Sequence, residues 1–155
     1  AMHAFGKITL FFCAGAIFVA TGKKNISEMA GIGRRMPVTM TAFLLGALSI
    51  IGMPPCGGFL SKWYLVQGSL QADQMPILVV LLVSSLLNAA YFMPVVYRAF
   101  FCPPDQAAFE ARVEEAPFCC VAPLVITALI SVALLFYPQP FFRLAILAAQ
   151  KVIGI

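Results

Sequence analysis

Residues 37–70 read PVTMTAFLLGALSIIGMPPCGGFLSKWYLVQGSL. The stretch is apolar enough for a membrane and too long for one plain span of about 20 residues. Its middle carries Gly52-Met53-Pro54-Pro55-Cys56-Gly57-Gly58. Two prolines remove two backbone donors and clash with the preceding turn, and three glycines loosen the backbone. Those residues argue against a continuous helix through 52–58. The reading is one membrane element broken near its middle, with a re-entrant hairpin of two half-length elements as the alternative. Broken helices persist at membrane depth where the freed backbone faces protein or a water-filled cavity. Pro37 suits a first helical turn.

Working outward, apolar runs predict further spans at about 3–21, 76–97 and 117–137. The first is stopped by Gly22-Lys23-Lys24-Asn25, the third by Arg98, and the fourth by Pro138 and Pro140. Residues 103–115 are polar, with Asp105, Glu110, Arg112, Glu114 and Glu115. Residues 141–155 hold Arg143 and Lys151 in an apolar background and read as a short interfacial helix. The predicted fold is therefore an all-α polytopic transmembrane helix bundle of about four spans, the second discontinuous. Residues 1–155 form a single transmembrane region. The chain runs straight into an apolar stretch without a basic n-region or a cleavage site, and is expected to begin mid-protein.

Composition agrees. Hydrophobic residues make up 62% of the 155 residues and charged residues 10%, where soluble domains carry about 25%. The net charge of +4 is no nucleic-acid signal, because the basic residues cluster at the ends of apolar runs. Cys13, Cys56, Cys102, Cys119 and Cys120 show no metal-ligand spacing. Phosphate loops, nucleophile–base pairs and dinucleotide fingerprints are absent from the sequence. No metal, no cofactor and no catalytic site in the enzymatic sense are expected.

Loop charges predict topology. The connection after the first span holds Lys23, Lys24, Arg34 and Arg35; the segment after the third holds Arg98 and Arg112; the turn near Asp73 holds no basic residue. The first and third connections are expected in the cytoplasm, and both chain ends on the other side of the cell's inner (plasma) membrane.

Three ionisable side chains fall inside apolar runs: His3, Lys7 and Lys62. A lysine at the membrane centre costs roughly 2.5–3.5 kcal/mol on insertion scales, and such residues mark ion or proton routes. Lys62 lies four residues after Gly58, beside the break, where free carbonyls and N–H groups can hold water or ions. A lysine drawn out of bulk water there can load and release a proton, which a solvated one cannot do at neutral pH. Snorkelling toward the interface near Trp63 and Tyr64 is the bland reading. His3 and Lys7 share one helical face a turn apart, a spacing that fits a proton relay or the start of a span.

These residues resemble a known pattern. Residues 3–12, HAFGKITLFF, are similar to the "HAFFKALLF" signature of antiporter-like membrane subunits, and residues 31–63, GIGRRMPVTMTAFLLGALSIIGMPPCGGFLSKW, to the discontinuous helix that follows it. Such subunits occur in multisubunit sodium/proton antiporters, respiratory NADH–quinone oxidoreductase and membrane-bound hydrogenases. SKWYL at 61–65 and AAYFMPVVYRAFF at 89–101 look most like the D-type antiporter subunit.

The resemblance implies a fold of two inverted five-helix repeats, each with one broken helix. This chain would be its C-terminal fragment, the last four helices with the second break. It implies that His3 is the signature histidine and Lys7 the mid-membrane lysine after it. Lys62 would be the broken-helix lysine that passes protons to the exit side. The implied function is membrane component of a proton/monovalent-cation translocating complex, with other membrane subunits, the bilayer, protons and Na⁺ or K⁺ as partners. Alternatives are a proton-pumping subunit of an NADH–quinone oxidoreductase or hydrogenase, at most a translocase subunit, and a non-transporting structural fragment. Two departures stand out. Gly6 replaces a common aromatic, which predicts a looser helix beside Lys7. The first repeat, with its buried glutamate–lysine pair, is missing, so the chain alone is not expected to complete a path.

Overall fold

A computed structural model describes residues 2–103 and 115–153. Its helices are α1 (Met2–Thr21), α2 (Pro37–Ile51), α3 (Gly57–Gln71), α4 (Met75–Phe101), α5 (Phe118–Phe136) and α6 (Gln139–Ile153). Among the described residues there is no strand. The molecule is an all-α membrane bundle. Helices α1, α4 and α5 are long and apolar enough to cross a membrane. The charged part of the third connection, 104–114, and residues 154–155 lie outside the described residues.

The broken element is two helices of 15 residues each. Each is about 22 Å long, short of a hydrocarbon core of roughly 30 Å. Helix α2 ends where Gly52 turns left-handed, φ 85°. The N–H groups of Gly52 and Met53 both return to the Leu48 carbonyl, at 2.9 and 3.0 Å, a common way to close a helix.

The break is shorter than the sequence predicts. Only 52–56 are non-helical, and Gly57 and Gly58 already form the first turn of α3. These two are glycine for packing, not for freedom. A Cβ on Gly58 would collide with the Ser49 carbonyl, and one on Gly57 would lie 3.0 Å from Leu134 Cβ. Helix α3 therefore starts pressed against α2 and α5.

Gly6 has a similar role, against expectation. It does not loosen α1. It is buried, and a Cβ there would lie 3.1 Å from Ser49 Oγ. Gly46 answers from α2, where a Cβ would lie 3.1 Å from Leu10 Cγ. Small residues let two membrane helices approach closely.

Hydroxyl pairs tie these helices to α5. Thr9 Oγ1 donates to Thr127 Oγ1 at 2.9 Å, and Ser131 Oγ to Ser49 Oγ at 3.0 Å. Interhelical bonds of this kind contribute about 0.6 kcal/mol each in membrane bundles. The core around them holds Leu10, Cys13, Ile17, Met40, Phe43 and Leu124.

The start of α2 is capped from far along the chain. Glu115 Oε1 accepts from the N–H groups of Val38 (2.7 Å) and Thr39 (3.4 Å), and Oε2 from Thr39 Oγ1 (2.8 Å). A carboxylate at a helix start meets both free donors and the positive end of the helix dipole. Replacing Glu115 by alanine is expected to lower stability by about 0.5–2 kcal/mol, the range for a lost cap. Thermal unfolding in detergent reads it, with Glu115→Gln retaining part of the loss.

The connection 22–36 docks on the far end of α4. Gly31 N–H donates to the Arg98 carbonyl at 3.1 Å. A Cβ on Gly33 would lie 2.8 Å from the Phe100 ring. The first basic connection and Arg98 thus lie at the same end of the bundle.

Candidate functional site

The break frees the last carbonyls of α2, which have no partner further along the helix. One of them, Ile51 O, accepts from Lys62 Nζ at 2.9 Å. The two residues are eleven apart, and only the bend between the half-helices brings them together. The stem of Lys62 lies over Gly52: a Cβ at that position would fall 2.5 Å from Lys62 Cδ. Gly52 therefore serves twice, supplying the left-handed turn and leaving the space for the lysine.

The second partner of Lys62 comes from α4. Its Nζ donates to Ser85 Oγ at 2.7 Å, and Ser85 Oγ donates to the Leu81 carbonyl at 3.0 Å. Lys62 is half-buried. Its ammonium is thus held between a backbone carbonyl and a hydroxyl and does not simply reach for the interface. Trp63 and Tyr64 are exposed beside it.

Lys62 lines a cavity of about 610 Å³ together with His3, Ser49, Ser61, Leu81 and Phe142. Helix α6 forms one wall and is docked by Phe142, whose ring centroid lies 4.3 Å from that of Tyr64. The walls are mostly apolar; the polar groups are few and converge, as in sites that handle small solutes.

Of the three ionisable residues singled out in the sequence, His3 and Lys62 meet in this cavity. His3 is exposed on α1. Lys7, one turn on, is also exposed and does not line the cavity. Of the break residues Gly52, Pro54, Pro55, Gly57 and Gly58, Gly58 lines the cavity, and the bond between Pro54 and Pro55 is cis.

Three contributors escaped sequence reasoning: the Ile51 carbonyl, Ser85 and Ser49. Ser84-Ser85 interrupts an otherwise apolar run, and that interruption is the signal that could have found Ser85. The carbonyl of Ile51 has no sequence signal, because every residue has one. Among the described residues no group of His, Cys, Asp or Glu is placed to hold a metal ion.

Residues 1–88 match the family described as "NADH:quinone oxidoreductase/Mrp antiporter, TM". NADH-quinone oxidoreductase subunit N of Desulforudis audaxviator is 50% identical over 98 residues, covering 63% of this chain and 20% of that protein. One of the Na(+)/H(+) antiporter subunits of Bacillus subtilis is 30% identical over 147 residues, covering 88% of this chain and 18% of that protein. The fold overlays on the Mrp complex from Dietzia sp. with a TM-score of 0.85 at 21% identity, over 97% of this chain and 36% of that one. The chain spans 20% to 32% of the length of the first curated relatives it matches.

Proposed function

Because the chain belongs to the NADH:quinone oxidoreductase/Mrp antiporter transmembrane family, we propose that it is a membrane component of a multisubunit complex that moves protons or monovalent cations. In this reading Lys62 is its proton-carrying residue. One observation carries the proposal: Lys62 Nζ sits on the carbonyl freed by the helix break and opens onto a cavity shared with His3. A lysine in such a place is half-buried and has two fixed partners. The ammonium has a third N–H beyond those two bonds, from which a proton can pass to the cavity. His3 is the second station, and Lys7 faces outward from the bundle.

The proposed partners are other membrane subunits, with protons and Na⁺ or K⁺ as the moved ions. The exposed apolar faces of α4, including Val80, Leu86 and Leu87, suit lipid or neighbouring helices. The proposed location is the inner (plasma) membrane. Basic residues of the 22–36 connection lie at the end of the bundle that also holds Arg98, which supports a cytoplasmic placement for that end. Both ends of the chain then fall on the other side.

A proton-pumping subunit of an NADH–quinone oxidoreductase is the second reading, favoured by the 50% identity to subunit N. It predicts copurification with flavin and iron–sulfur subunits; an antiporter assembly predicts copurification with other antiporter subunits and no redox centre. The primary test is ion-driven pH change in vesicles carrying the intact complex with Lys62→Met. Unchanged transport overturns the proposal.

A further inference from the structure

The two partners of Lys62 differ in kind. The Ile51 carbonyl only accepts a hydrogen bond, whereas the Ser85 hydroxyl both accepts and donates. The observed contacts fit the charged ammonium, which has three donors and no acceptor. Nζ donates to Ile51 O at 2.9 Å and to Ser85 Oγ at 2.7 Å. The Ser85 hydroxyl proton is turned away, toward the Leu81 carbonyl at 3.0 Å.

Loss of a proton from Nζ to a water molecule in the cavity, which leaves as hydronium, changes the requirement. One N–H bond breaks, its electron pair stays on nitrogen, and the neutral amine keeps two N–H donors while its new lone pair needs a donor. Ile51 cannot supply one. Ser85 can, by turning its O–H from Leu81 to Nζ. A hydroxyl hydrogen rotates about its C–O bond without moving the helix.

We propose that Ser85 is the positioning residue of this site, a reversible hydroxyl that holds Lys62 in the same place in both its charged and neutral forms. The inference rests on the reading that Lys62 carries the proton. It adds a role for α4, which brings no ionisable side chain to the cavity. The titratable groups lining the cavity with Lys62 are His3 from α1 and Tyr64 from α3; α2, α4 and α6 contribute none among its described lining residues.

The test uses the intact complex in vesicles with Lys62→Met, Ser85→Thr and Ser85→Val. Threonine and valine have nearly the same shape, and only threonine keeps the hydroxyl and its bond to the carbonyl four residues back. Ser85→Thr is expected to transport within about twofold of the parent, and Ser85→Val about tenfold or more below it, since a misplaced acid–base group forfeits part of a contribution of roughly 100-fold or more. The pH profile of transport is expected to move in Ser85→Val and to stay in Ser85→Thr. Parent-like rate and pH profile in Ser85→Val overturn the inference. So does a loss in Ser85→Val that follows only a smaller amount of assembled complex, with the pH profile unmoved. If the branched pair does not assemble, Ser85→Ala carries the same comparison against the parent, with the same overturning results. Lys62→Met that transports normally sinks the functional reading and this inference with it. Lys62→Met that is inactive beside a parent-like Ser85→Val sinks this inference alone.

Discussion

Vesicles carrying the Lys62→Met complex are expected to lose ion-driven pH change by roughly 100-fold or more, the scale of a positioned acid–base group. Methionine keeps an unbranched apolar stem that can lie over Gly52, as the Lys62 stem does. It removes the group that exchanges protons. The Ile51 carbonyl loses its donor, and an unmet buried acceptor costs about 1–3 kcal/mol. Against this, removing a charge from a membrane segment eases insertion by a comparable amount. Assembly of the complex is therefore expected to hold while transport fails. Lys62→Arg sharpens the result. Arginine keeps the positive charge and does not release its proton in proteins, so it is expected to fail as methionine does. A transporting Lys62→Arg would mean that charge alone matters at this site, and a transporting Lys62→Met that the site is not on the path.

Gly58→Ala is expected to be among the most damaging small changes in the molecule. The added Cβ would meet the backbone carbonyl of Ser49, and backbone cannot step aside as a flexible side chain can. Overpacking of a tight contact costs about 1–3 kcal/mol and occasionally more. Here α3 must tilt away from α2 to make room. That tilt moves Lys62, one turn on along α3, relative to the Ile51 carbonyl on α2. Both thermal stability of the purified protein and transport are expected to fall. Gly68→Ala on the same helix is the control. Nothing lies within 4 Å of a Cβ there, and alanine is a better helix former than glycine by up to about 1 kcal/mol. It is expected to leave stability unchanged or slightly raised. Equal stability for the two variants would contradict the close approach of α2 and α3.

Much of this architecture is legible in the residues themselves. Apolar runs long enough for a bilayer, and basic residues at their ends, mark the helices without any tertiary information, because lipid forces every backbone group to be satisfied within the segment. The paired prolines mark the break for an equally local reason, since neither has an N–H to give. Glycines are read less well. At 57 and 58 local reasoning reads flexibility, yet the structure uses the missing Cβ for contact with residues of α2 and α5. Gly6 is the same case on α1. A glycine that frees a turn and one that admits a neighbouring helix look identical in sequence.

The site divides along the same line. The sequence alone determined that Lys62 is an ionisable group inside an apolar element beside a helix break, because its cost in a membrane depends only on what it is and how far it lies from polar residues. Only the tertiary structure decided what meets it. Ile51 O, Ser85 and His3 belong to three other helices. Those partners come from how the helices cross, and crossing is fixed by the fit of side chains between elements, which no single stretch of the sequence contains.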